Sequence, residues 1–129
     1  MLAFFYIKSL YTNIDTELGL IAITYFLDKY YDQVELNHYP KTVILNFLNI
    51  VLNNNYFEYK NTYFKQTSGC AMGSICSPTY AILVLAYCED QIFEDGKSIF
   101  NETETEIIIK SFYRFISEIL ILWPLNVTK

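Results

Sequence analysis

Few side chains in this sequence have a type and spacing suited to chemistry. The densest stretch is Gln66-Thr67-Ser68-Gly69-Cys70-Ala71-Met72-Gly73-Ser74-Ile75-Cys76-Ser77-Pro78. It is a run of small residues, and Gly73 within it would allow close backbone approach. Such a loop can wall a pocket, but it carries no charge of its own. The three cysteines, Cys70, Cys76 and Cys88, are odd in number and form no CxxC pair. That argues against a disulfide framework or a zinc knuckle and for a reduced, intracellular compartment. The single histidine, His38, sits between Asn37 and Tyr39 in a polar stretch. It lacks the neighbours that a catalytic or metal-binding histidine needs, so an exposed side chain is expected.

The positioning elements have to come from a chain of 129 residues, 53% of them hydrophobic and 18% charged. That length suits one small domain over residues 1–129 with a single core, and the composition excludes disorder. With 12 Tyr and 10 Phe, the chain will also expose apolar surface if part of its fold is missing. Nine basic residues against 14 acidic ones give a net charge of -5. The molecule as a whole therefore repels a phosphate backbone. No signal peptide is visible. The longest apolar stretch, residues 80–87, is far short of the ~20 residues that span a bilayer.

The pattern of apolar residues gives an element order. Residues 2–7 form an apolar, aromatic run that fits a buried strand. Thr12, Asn13 and Asp15 make a polar break. Asp15 can cap a helix carrying Leu18, Ile21, Ala22, Tyr25 and Phe26. Residues 32–39 read as a loop, and Pro40 suits the first turn of a second helix ending at Asn53, Asn54 and Asn55. Two aromatic runs around Lys60-Asn61 read as a β-hairpin. A third helix opens at Pro78 and runs to about Phe93. Residues 94–110 are expected to be an exposed acidic connector. Residues 112–116 and 119–123 form a second hairpin, with Ser117-Glu118 at its turn. Strand, helix, helix, hairpin, helix and hairpin together predict an α+β domain, with an antiparallel sheet and helices packed on one face.

Three segments, in order, resemble the palm motifs of reverse transcriptases, in wording closest to Penelope-like retroelements. Ser9-Leu10-Tyr11-Thr12-Asn13-Ile14 resembles the SLYTNI that follows the first catalytic aspartate of that family. The 66–78 stretch, with Tyr80-Ala81 and Glu89 beyond it, resembles the family's Q-x-x-G-x-A-M-G-S-x-x-S-P motif and the helix after it. Tyr113-Arg114-Phe115-Ile116-Ser117-Glu118, with Trp123 behind it, resembles the R-Y-I-D-D hairpin. The resemblance covers residues 5–123. It implies a palm-like fold, here without fingers or thumb, and a nucleotide pocket built from Tyr11, Gln66, Gly69, Met72, Gly73, Ser77 and Pro78.

The departures bear on activity. The family's three metal-binding aspartates fall at positions occupied here by Tyr6, Ser117 and Glu118. Active relatives use Mg²⁺, which wants anionic oxygen ligands in tight octahedral geometry. A phenol and a hydroxyl are neutral at pH 7. Glu118, the one acidic candidate left, cannot hold two ions alone. The resemblance therefore implies a fragment of an RNA-directed DNA polymerase from a retrotransposon that acts as a pseudoenzyme. No catalytic or metal site is intact, no cofactor is expected, and binding to an RNA or DNA primer-template is weak or absent. The alternative is a non-enzymatic module that binds protein or RNA through a palm fold. Lys60, Lys65 and Arg114 are the basic residues expected near the ancestral template path.

Overall fold

The computed structural model describes residues 1 to 122, leaving aside the side chains of residues 36 and 37. Trp123, the last residue of the expected second hairpin, lies outside the described residues. The chain is α+β and divides into two compact units, one of Met1–Leu10 with Cys88–Lys129, the other of Tyr11–Tyr87.

In the Tyr11–Tyr87 unit, the one-turn helix α1 (Leu10–Asn13) leads from the other unit into α2 (Thr16–Tyr30). The turn falls where the sequence predicted only a polar break. Asp15 caps α2 as expected, its Oδ1 accepting from the amides of Glu17 at 2.8 Å and Leu18 at 3.0 Å. Two short 3₁₀ turns, Tyr31–Gln33 and Glu35–His38, replace the predicted irregular loop. Helix α3 (Lys41–Asn53) follows, with Pro40 as its N-cap residue. The asparagine run ends it through its side chains. The side-chain amides of Asn53, Asn54 and Asn55 donate to the carbonyls of Asn49, Ile50 and Val51, the last two among the acceptors at the helix end.

Strands β2 (Tyr56–Tyr59) and β3 (Thr62–Lys65) pair antiparallel in a separate two-stranded sheet. Their turn residues Lys60 and Asn61 have φ of 50° and 59°, the left-handed conformation that matches a tight hairpin to strand twist. Helix α4 (Ser77–Gly96) starts in this unit and ends in the other. The buried apolar side chains of the unit include Ile14, Ala22, Leu52, Cys70, Tyr80, Ala81 and Val84. Close contact between α2 and α4 is possible because residue 19 is glycine. A Cβ there would lie 1.6 Å from the hydroxyl oxygen of Tyr80.

In the other unit, β1 (Leu2–Tyr6), β4 (Phe112–Phe115) and β5 (Glu118–Leu122) form an antiparallel sheet in the order β1-β5-β4. Directly paired residues share a face. One face therefore carries Leu2, Phe4, Tyr6, Tyr113, Phe115 and Glu118 along with two leucines of β5. The other carries Ala3, Phe5, Phe112, Arg114, Ile119 and Ile121. On this second face Phe112 meets Phe93 of α4 edge to face, at 5.6 Å between centroids.

Three expectations need correction in this unit. Strand β1 is not buried, since four of its five residues are exposed. The second hairpin turns at Ile116-Ser117, one residue earlier than predicted, and Glu118 begins β5. The stretch at 94–110 is largely exposed, but it holds the end of α4 and most of a further helix, α5 (Glu102–Ser111). A capping box starts α5. Asn101 Oδ1 accepts from the Glu104 amide, and the Glu104 carboxylate accepts from the Asn101 amide. The Asn-x-x-Glu spacing is itself a helix-start signal.

Candidate functional site

Two sets of sequence-predicted site residues fall in different units. The first set is Tyr6, Ser117 and Glu118. Tyr6 pairs directly with Glu118 across β1 and β5, and the next amide along, that of Ile7, donates to the Ser117 carbonyl at 2.8 Å. Positions separated by more than a hundred residues therefore meet at one end of one sheet. Tyr6 is 64% exposed and Glu118 is exposed, while Ser117 is half-buried in the turn.

The turn is held from behind. Arg114, on the opposite face, makes a two-pronged contact with Glu89 of α4 through Nε to Oε1 and Nη2 to Oε2. Only 9% of the Arg114 side chain and 21% of the Glu89 side chain reach solvent. A planar guanidinium gripping a carboxylate in this way fixes orientation as well as charge. It anchors β4 to α4 one residue before the closing pair of the hairpin. The turn itself is strained, since Ile116 is a β-branched residue with φ of 52°. Arg114 Nη1 also reaches toward the Ile116 carbonyl, at 3.4 Å. Arg114 is thus committed to Glu89 within the fold.

The second set lies in the Tyr11–Tyr87 unit. Gly69 has φ of 74°, and a Cβ on it would come within 2.8 Å of both the Thr12 Cα and the Tyr11 carbonyl oxygen. The Cys70 amide donates to that same Tyr11 oxygen at 2.6 Å. Tyr11 and the start of the loop are brought together in this way. Gly69 is thus the glycine of this loop that the protein's own backbone approaches closely. Gly73, with φ of 100°, has nothing near its Cβ position, so its glycine is required by conformation alone. Gln66 closes the hairpin side, its amide donating to the Asn55 carbonyl and its side chain to the Ser68 carbonyl.

Ser77 is the buried hinge of this loop. Its hydroxyl donates to the Ala71 carbonyl at 2.5 Å and accepts from the Cys70 thiol at 3.0 Å. Burial pushes the Cys70 thiol up in pKa, partly opposed by the Ser77 contact. Burial also pushes the Tyr80 phenol up to about 12, with the charges of Cys70, Asp15 and Cys76 adding to it. Met72 is 75% exposed, and Pro78 is exposed at the helix start.

Among the described residues, no three His, Cys, Asp or Glu side chains cluster so as to hold an ion. The donor set of Tyr6, Ser117 and Glu118 is one carboxylate with two neutral oxygens, which does not fit a pair of Mg²⁺ ions. His38 is exposed, its ring 4.2 Å from that of Tyr39. No described helix is long and apolar enough to cross a membrane.

Sequence reasoning missed two contacts, that of Gly19 with Tyr80 and that of Glu89 with Arg114. Glu89 and Arg114 both stood in the motif stretches, and their opposite charges were the available signal. No family model, curated protein or solved structure matches the chain.

Proposed function

We propose that this chain is a reverse transcriptase palm derivative that has lost its metal site and with it polymerase activity. The observation that carries the reading is the pairing of Tyr6 with Glu118, with Ser117 at the adjoining turn. Two-metal polymerases need carboxylates on neighbouring strands so that both ions bridge the attacking and leaving oxygens. The resemblance assigns the three carboxylate positions from sequence alone, and all three lie together here with a single carboxylate, that of Glu118, among them. The glycine loop and Tyr11, also assigned by resemblance, are drawn together around Gly69. That supports the same reading.

One observation favours a second reading, a module that binds another macromolecule. The sheet face bearing Tyr6 and Glu118 is open and largely apolar. Loss of catalysis and gain of an interaction surface are compatible.

Restoring the ligands tests the ancestry. The Tyr6→Asp, Ser117→Asp and Glu118→Asp variant should bind Mn²⁺, seen as loss of the free-ion electron paramagnetic resonance signal, while the unmodified chain leaves that signal unchanged. No gain in binding on restoring the three aspartates would sink the reading.

A further inference from the structure

The open face of the three-stranded sheet is where the fold leaves the most work undone. Phe4 is 63% exposed, Tyr6 64%, Tyr113 52% and Phe115 74%, and all four lie on this face. Leu2 and Leu122, paired at its far end, are 65% and 46% exposed. The single charge among the residues of this face is Glu118, at the end where Tyr6 lies. Isolated exposed apolar residues are ordinary, but a contiguous patch across three strands marks an interaction site.

We infer that this face is the interface of a homodimer, in which two copies pack sheet against sheet. Area argues for it. An aromatic side chain carries about 150–250 Å², so at the exposures above the four aromatics leave roughly 500 Å² open on each copy. Two copies reach about 1,000 Å² from these side chains alone, the lower bound for a specific interface, and the two leucines add to that. Charge argues for the same occupant. Nucleic acid would stack on aromatic residues only alongside cations that hold its backbone. The one cationic side chain within these three strands, Arg114, is on the opposite face and held by Glu89. A second copy meets no such demand, because apolar contact is non-directional. With the twofold axis lying between the two sheets and running across the strands, the two Glu118 carboxylates fall at opposite ends, so like charges do not meet. Facing sheets separated by ~10 Å would let the aromatics interdigitate. The interface does not depend on the ancestry proposed above.

Analytical ultracentrifugation of the unmodified chain at micromolar concentration, with a dilution series, tests this. The expected result is a species of twice the chain mass that dissociates on dilution. The Phe4→Lys, Phe115→Lys variant, with its far-UV circular dichroism unchanged, should sediment as a monomer. Phe57→Lys serves as the control. Phe57 is 53% exposed on β2, in the other sheet, and its replacement should leave the dimer intact. Should the double variant fail to fold, Tyr6→Lys alone, at the end of β1, makes the same test. A monomeric unmodified chain, a dimer indifferent to lysine on the open face, equal loss on Phe57→Lys, or a ladder of species above the dimer would each overturn the interface.

Discussion

Replacing Gly19 by alanine should unfold the α2–α4 contact at a cost that can be worked from the geometry. A Cβ at position 19 would lie 1.6 Å from the Tyr80 hydroxyl oxygen and 2.3 Å from the ring carbon that bears it. Tyr80 is only 4% exposed and its ring is rigid, so it has little room to yield. Overpacking of an interior costs about 1–3 kcal/mol, and so deep an overlap belongs at the upper end. Alanine in a helix recovers about 1 kcal/mol relative to glycine. The net loss is then about 2 kcal/mol. At about 4 °C per kcal/mol for a chain of this size, Tm should fall by about 8 °C. Thermal unfolding followed by far-UV circular dichroism gives the comparison. The second half of the test repeats Gly19→Ala in a Tyr80→Leu background. With the ring gone, the same substitution should become stabilising by up to about 1 kcal/mol. A Gly19→Ala chain as stable as the unmodified one, or an equal loss in both backgrounds, would refute the packing described here.

Four other outcomes follow from the sites. Arg114→Met should destabilise by about 3 kcal/mol, because it strands a largely buried carboxylate, and adding Glu89→Leu should recover most of that loss in urea unfolding. The Tyr80 phenol is raised from 10 to about 12 by burial. Its contribution to stability is therefore complete below pH 10 and lost as pH rises toward 12, so the unmodified chain should lose stability relative to Tyr80→Phe across that window in urea melts. Primer extension should give no incorporation with Mg²⁺ or Mn²⁺. Fluorescence anisotropy with a short primer-template at physiological salt should give affinity no tighter than ~10⁻⁶ M, unchanged by Arg114→Ala, because that side chain is already paired with Glu89.

What the sequence disclosed, and what it hid, follows from the range of the forces involved. The cap at Asp15, the asparagine run ending α3 and the Lys60-Asn61 turn are local devices, legible because the residues that make them are neighbours. The capping box of Asn101 and Glu104 was equally local. It was obscured by the acidic composition around it, which resembles an exposed connector. The burial of β1 was misjudged for a different reason. An apolar run says that a strand wants cover, but whether anything covers it depends on tertiary structure. Leu2, Phe4 and Tyr6 found none. The one-residue shift of the second turn came from reading Ser117-Glu118 as the polar pair, whereas the hairpin places Ile116 in a left-handed conformation that its side chain disfavours. The Arg114 ion pair was hidden because its partner lies 25 residues away on another element. The meeting of positions 6, 117 and 118 was expected only through the resemblance, since no local pattern joins the two ends of the chain.

Positions 6 and 118 face one another across the sheet, and a cross-link measures this directly. Ile7 and Ser117 are joined by a ladder hydrogen bond, so the neighbouring pair of Tyr6 and Glu118 is of the non-hydrogen-bonded kind, with Cα atoms about 4.5 Å apart. That spacing lies within reach of a disulfide, which needs about 4.4–6.8 Å. In a background lacking Cys70, Cys76 and Cys88, the Tyr6→Cys, Glu118→Cys chain should close an intramolecular disulfide on mild oxidation, read by mass spectrometry after proteolysis. The offset pair Phe4→Cys, Glu118→Cys should not. Closure of the offset pair in place of the direct one, or failure of the direct pair to close, would contradict the juxtaposition on which the functional reading stands.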